Sequence, residues 1–377
     1  MSIQKLYTVG GILATLYNRS KALMYSFDPY NPLNLPPNTI RVRTNDGQQP
    51  IKDTYTSYET VTLVTGTNDV YDVYKSGTSF DSVLEGSTNV VEVLGANTTG
   101  VTDMSYMLHN CTNLTSVALF DTSNVTNMFY MFDNCTSLTT VPLFDTSNVT
   151  DMGMMFTLCT SLTSVPLFDT SNVTNMYNMF GSCTSLTSVP LFDTSNVTSM
   201  NSMFSSCTSL TSVPLFDTSS ATKMNEMFYG CTALTSVPLF DTSSVTRMDS
   251  MFYSCTSLTS APLFDTSNVT RMDNMFFNCS NLTTVQVFDT SKVTNMYEMF
   301  YKCTSLTIVP LFDTSKVTNM EEMFYDCYKV ESGALALYQQ ASSQTKPPSN
   351  HNSTFFQCGR DTTTGAAELA QIPWSWK

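Results

Sequence analysis

Ten of the chain's eleven cysteines stand at Cys111, Cys135, Cys159, Cys183, Cys207, Cys231, Cys255, Cys279, Cys303 and Cys327, every interval 24 residues without one insertion. A loop-rich protein cannot keep such spacing. It requires each 24-residue unit to complete one turn of a coil, so that equivalent side chains stack in ladders. The fold class expected is therefore a repeat solenoid, whatever domain count a chain of 377 residues suggests.

Within a unit the apolar residues separate into two patterns. Met200, Met203, Phe204 and Cys207 stand at i, i+3, i+4 and i+7, one face of about two helical turns, which predicts a short helical or 3-10 segment. Leu210, Val213, Leu215 and Phe216 then have the spacing of a leucine-rich-repeat strand, with pairing expected to end at Val213 because Pro214 has no N–H. Asp217 and the Thr, Ser and Ser or Asn after it close the corner. One coil is thus read as a short parallel strand, a corner and a short helical segment, about 4.8 Å from the next.

The repeated F-D-T-S-x-V-T-x-M-x-x-M-F-x-x-C, written FDTSNVTSMNSMFSSC at 192–207, resembles the BspA-like leucine-rich-repeat family of bacterial surface proteins. The resemblance runs in phase over 101–327; Leu108 departs from it, as do Ala118 and Gln286 at the proline position. With NTIRVRTNDG and DVYDVYKSG before the repeats and GALALYQQAS and CGRDTTTGAAELAQIP after them, the arrangement is similar to repeat proteins encoded by gut bacteriophages and prophages. The resemblance implies a non-enzymatic protein on a virion surface or otherwise extracellular, adhering to a bacterial surface protein or glycan. A bacterial cell-surface adhesin and a structural spacer without a ligand are the alternatives.

An open coil exposes apolar rungs at both ends, so caps are expected. Residues 1–35 read as a helical and linker segment that could anchor the chain to an assembly. Residues 36–100 read as a β-rich module and cap, with NDG (45–47) as a hairpin turn and SFDSVLEG (79–86) as a short helix. After the solenoid at 101–327, residues 328–377 read as an α-helical C-terminal cap, with helices near 331–344 and 366–370. Residues 1–100 are the expected contact with other virion proteins.

Function classes narrow by charge and motif. Seventeen basic residues against 31 acidic ones, with no basic cluster, argue against a nucleic-acid partner. No run of eighteen apolar residues occurs, so no membrane insertion is expected. His109 and His351 lie in no catalytic or zinc motif, and neither a phosphate loop nor a nucleophile elbow is present. No cofactor and no metal are expected. The cysteine ladder lies within disulfide reach, but the sulfurs extend an apolar face and read as buried free thiols. The aspartate ladder that includes Asp217 could hold calcium between coils; bonds from each carboxylate to the backbone N–H groups after it relieve the repulsion more simply. Asn124, Asn148, Asn172, Asn196 and Asn268 match the N-glycosylation sequon and read as corner residues.

What differs between coils flanks each Met and precedes each Cys, and forms the candidate ligand-binding face: Arg247, Tyr253, Arg271, Phe277, Tyr297, Tyr301 and Tyr325. Exposed aromatics among mixed charge suit protein or glycan contacts; tolerated drift at surface positions explains the same pattern.

Overall fold

The structure, a computed structural model, describes residues 33–377, so all but the last three residues of the N-terminal helical or linker segment (1–35) lie outside the described residues. It is a repeat solenoid whose core is copied from coil to coil. In a central coil Met200, Met203, Phe204, Cys207, Leu210, Val213 and Phe216 are all buried.

The Met-to-Cys segment is not helical, which corrects the expectation. It consists of two consecutive tight turns, each with one residue in the left-handed region: Ser202 at φ 58° and Ser206 at φ 60°. Met203 N–H closes on Met200 O at 3.3 Å and Cys207 N–H on Phe204 O at 3.1 Å. The N–H groups of Met200, Ser202, Phe204 and Ser206 point out of the coil instead. They donate to the carbonyls of Lys223, Asn225, Met227 and Tyr229 at 3.2, 3.0, 3.0 and 2.5 Å. A helix would spend those donors on its own carbonyls. The turn pair sends every second one to the neighbouring coil. Left-handed backbone costs roughly 1–2 kcal/mol per residue, which a set of inter-coil hydrogen bonds at about 1 kcal/mol each offsets.

Among the described residues this turn pair occurs twelve times, from Ser82 and Gly86 to Ser353 and Gln357. The stack therefore extends past 101–327 at both ends. SFDSVLEG is its first turn pair rather than a helix: Phe80, Ser82, Leu84 and Gly86 donate to Asp103, Ser105, Met107 and His109 at 2.7, 3.0, 2.9 and 2.8 Å. At the far end Met320, Glu322, Phe324 and Asp326 donate to Asn350, Asn352, Thr354 and Phe356. The eleventh cysteine, Cys358, ends that last turn pair and is buried like the others, 31 residues after Cys327 instead of 24.

Coils are spaced unequally on their two flanks. Outer rings on the turn flank, Tyr229 and Tyr253, have centroids 4.5 Å apart; the core rings beneath, Phe204 and Phe228, are 5.8 Å apart. On the opposite flank Phe216 and Phe240 are 6.5 Å apart. The first pair there, Phe120 and Phe144, is closer at 5.1 Å but tilted by 47°. Coils that fan in this way bend the rod toward the turn flank, which becomes its inner face.

The fan also explains where strand pairing fails. Parallel bridges follow the inner flank, through Ser199, Lys223, Arg247 and Arg271. The strand expected at Leu210 to Val213 forms only as β5 (Ser116–Val117) and as the single bridges Ser260–Thr284 and Ile308–Ser332. Elsewhere the outer flank keeps few bonds, such as Thr235 N–H to Thr211 O at 3.4 Å. Leu215, expected with the strand's apolar set, lies 59% exposed. Phe216 N–H closes on Pro214 O at 3.0 Å, and this bend throws the residue between them outward. Equivalent Leu143, Leu167, Leu191, Leu239, Leu263 and Leu311 are exposed in the same way.

The ladders are hydrogen-bonded as well as packed. Cys207 Sγ donates to Phe180 O at 3.0 Å, and burial pushes its thiol up to about 12. No two of the eleven thiols are joined. Asp217 Oδ1 accepts from the Ser219 hydroxyl at 2.7 Å and the Ser219 N–H at 3.1 Å, which hold the carboxyl below its usual range. Thr194 and Thr218 are buried at the corner and donate to Asp217 O and Asp241 O, both at 2.6 Å. Of the sequon asparagines, Asn148, Asn172, Asn196 and Asn268 donate to the serine carbonyls of the preceding coil.

The N-terminal module is a sheet in the order β2-β3-β1-β4-β5, with β1 Thr39–Thr44, β2 Thr60–Leu63, β3 Val70–Tyr74 and β4 Val90–Asn97. Its pairs are antiparallel except β4 with β5, where the module's sheet runs into the first coil. NDG does not make the expected hairpin: β1 pairs with β3 and β4, and the hairpin is β2–β3. Asp46 folds back on Gln48 N–H at 2.9 Å and is held by Asn89 at 3.1 Å, which leads the chain away from β1. Downstream, the insertion between Cys327 and Cys358 carries helix α1 (Ala334–Ser342). After Cys358 come helix α2 (Thr363–Gln371), capped by the Thr362 hydroxyl, and a 3-10 turn Trp374–Trp376.

Candidate functional site: the inner face

Alternation along the turn pairs points the residues beside each Met and those before each Cys out of the inner flank, so ladder geometry arranges them in columns. The aromatic column is continuous. Tyr229, Tyr253, Phe277, Tyr301, Tyr325 and Phe356 stack face to face with centroids 4.5, 4.3, 4.7, 4.8 and 4.6 Å apart. Four candidates, Tyr253, Phe277, Tyr301 and Tyr325, thus come together in one stack. Phe356 was not on the candidate face; it lies beyond the insertion, although FFQC (355–358) repeats the F-x-x-C ending.

Arg247 and Arg271 stand in a neighbouring column and bridge each other's backbone. Each is held by an aspartate of its own coil. Arg247 Nε and Nη2 donate to Asp249 Oδ1 and Oδ2 at 2.8 Å each, and Arg271 does the same to Asp273 at 2.9 Å. The paired carboxylates raise both guanidinium pKa values above the ordinary arginine range. Tyr297 occupies the column of Asp249 and Asp273, and its phenol is pushed up to about 12 by burial and then by its bond to Glu298.

The N-terminal part of the face carries a different cluster. Tyr106 and Tyr130 stack at 4.8 Å, with Phe129 edge-on to both. Beside them His109, which belongs to no catalytic or zinc motif, bridges two carboxylates from the coils on either side. Its Nδ1 lies 2.9 Å from Glu85 Oε1 and its Nε2 3.0 Å from Asp133 Oδ2. Burial works against the imidazolium, but the bonds and charges of Asp133 and Glu85 outweigh it, so the His109 pKa is raised. The column position gives the signal: Glu85, His109 and Asp133 are the same residue of three successive coils, 24 apart. Between this cluster and the long stack the column holds only Thr157, Gly181 and Ser205.

Stacking decides what the face can offer. An interior ring such as Phe277 or Tyr301 has both faces covered, so it presents its edge and, in tyrosine, its hydroxyl. A sugar cannot lie flat on such rings. A row of polar edges among carboxylates and bound guanidinium groups suits the uneven surface of a protein. Among the described residues no three of His, Cys, Asp and Glu converge as metal ligands, and no helix is long and apolar enough to cross a membrane.

Comparison with known proteins completes the description. The chain is similar to a solved leucine-rich repeat protein from Eubacterium ventriosum, at 15% identity and a TM-score of 0.36, covering 75% of this chain and 81% of that one. It is similar also to a T. pallidum leucine-rich repeat protein, at 20% identity and a TM-score of 0.25, covering 58% and 72%. No curated protein sequence matches. The sequence model of a family described as "Mycoplasma protein of unknown function, DUF285" matches residues 78–191, 163–263 and 260–357, which take in the first turn pair and all but the closing cysteine of the last. The chain belongs to the DUF285 family.

Proposed function

We propose that this chain is a non-enzymatic, surface-exposed repeat protein, carried on a phage virion or tail, whose inner face docks on a bacterial surface protein. The observation that supports this reading is the segregation of variation: the aromatic differences between coils, and the charged ones apart from Lys292 and Lys316 at the corner, gather on the inner flank, while the core repeats. Closed ring faces favour a protein partner over a glycan. Residues 1–100 are the proposed contact with other virion proteins. The family description names mycoplasmas, which favours a bacterial cell-surface adhesin as the second setting. A plain spacer is favoured by one further observation, that Arg247 and Arg271 are already engaged within their own coils.

Binding of the full chain to intact host cells tests the reading, with Tyr253, Arg271 and Tyr297 together replaced by serine. Corner threonines cannot serve as the control, because Thr194, Thr218 and Thr266 are buried. Leu191, Leu215 and Leu239 on the outer flank can, replaced likewise. Loss in the first variant alone is the expected result. Loss in the second alone moves the site to the outer flank, and binding unchanged in both assigns the repeats to spacing. A mass-spectrometric search of purified virions for the chain separates phage from bacterial origin.

A further inference from the structure

We propose that the cavity at the C-terminal end of the aromatic stack binds a small planar aromatic carboxylate, its ring laid on Phe356 as a seventh rung. Whatever docks along the inner face, this site stands by itself. Phe356 has Tyr325 on one face at 4.6 Å. Phe356 also helps to line a cavity of about 410 Å³ at this end of the stack, within the ordinary range for small-ligand pockets.

Three features give the ligand its chemistry. Helix α2 turns Ala366, Leu369 and Ala370 to the cavity, and the two small side chains leave it open. Trp374, in the same lining, is 82% exposed. That exposure is imposed, because its companion Trp376 is buried and stacks on His351 at 4.2 Å and 3°. An exposed indole that shares a cavity lining with Phe356 is an anchor for an apolar, flat partner. The third feature is charge. In a chain of formal net charge −14, two cations, Arg360 and Lys377, line this one cavity.

Both cations are positioned by neighbours and keep capacity for an anion. The Arg360 guanidinium lies over the Tyr328 ring at 3.9 Å, gives Nε to Asp361 at 3.2 Å and Nη1 to Gln357, and leaves Nη2 for a further acceptor. Lys377 Nζ lies 5.2 Å from the Trp374 ring and donates once, to Leu369 O at 3.0 Å. A ring on Phe356 and Trp374 with a carboxylate toward Arg360 and Lys377 satisfies every group. A flat neutral ring leaves the cations unused, and a saturated acid leaves the ring faces unused.

Trp374 reports on the site, since the chain has only two tryptophans and the other is buried. The full chain is titrated with phenylacetate, cyclohexylacetate and benzyl alcohol, following tryptophan emission and ligand-detected NMR, with Trp374→Phe to assign the emission change. Phenylacetate is expected to bind saturably, and the other two at least about tenfold more weakly. Arg360→Gln should weaken phenylacetate by about tenfold, and Ala370→Trp, at an exposed helix position, should block it with folding intact. Equal binding of cyclohexylacetate removes the stacking role, and equal binding of benzyl alcohol removes the cations. Binding that survives Ala370→Trp, or none up to about 10 mM, overturns the site.

Discussion

His109 ties the first three turn pairs of the stack together through a charge that alkaline pH removes. Only the imidazolium donates from both nitrogens, to Glu85 and to Asp133. The second carboxylate depends on it, for Asp133 Oδ1 is buried without a partner. Tyr106 and Tyr130 close the flanks edge-on at 5.6 and 5.9 Å, and Asp53 adds a weaker negative field. Since the folded pKa is raised, this stabilisation is complete below the unfolded value of about 6.5. It is lost as pH climbs through the higher folded value. Deprotonation leaves one N–H and turns a lone pair on a carboxylate, so the loss is about that of one charge-assisted bond, roughly 1.5–3 kcal/mol. His109→Gln keeps one donor and faces its oxygen to the other acid. It should therefore loosen residues 80–135 by about that amount near pH 5.5 and by much less at a pH above the folded pKa, which an imidazole NMR titration of the parent chain fixes. Hydrogen exchange corrected for intrinsic rates reads this directly, with residues 250–300 as the internal control. An equal difference at both pH values, or a larger one in base, refutes the bridge.

Two further outcomes follow from the coil. A thiol reagent should find almost no reactive cysteine in the native chain and all eleven after denaturation, since every thiol is buried and those of the ladder titrate far above neutrality; fewer than eleven after denaturation would mean disulfides. Ser206→Val should destabilise its coil by about 1–2 kcal/mol, because a β-branched side chain resists φ of 60°, whereas Ser206→Asn should be nearly neutral; similar thermal or exchange stability for the two would remove left-handed backbone from the account.

The solenoid was readable because a constant interval admits no other arrangement, and core residues such as Phe204, Cys207 and Phe216 could be named from it. The turn pairs were not. Apolar residues at i, i+3, i+4 and i+7 satisfy two four-residue turns as well as a helix, and periodicity cannot separate them. Composition could have done so: Asn178, Gly230, Asn274 and Asn278 are residues that tolerate left-handed backbone, and they fall at the two bends. Leu215 was misplaced because a two-residue bend at Pro214 breaks the alternation a strand would keep. At the site, columns were legible but partnership was not. Whether a tyrosine shows its face or its edge depends on distances between coils that no single coil contains, and whether Arg271 is free or bound to Asp273 depends on the turn that sets the two side by side, which periodicity did not reveal.

Placement of the irregular pieces has a consequence for how such a chain changes over generations. The module lies at the first coil, with which it shares β4, and the insertion with its helix just before the last turn pair. Recombination between near-identical segments, such as those beginning at Thr184 and Thr208, can therefore delete or duplicate whole coils without touching either terminus. Each event moves the termini apart or together by one coil and turns them by one increment of the bend. A lineage of such genes becomes a graded series of reaches and curvatures, all ending in the same two fittings.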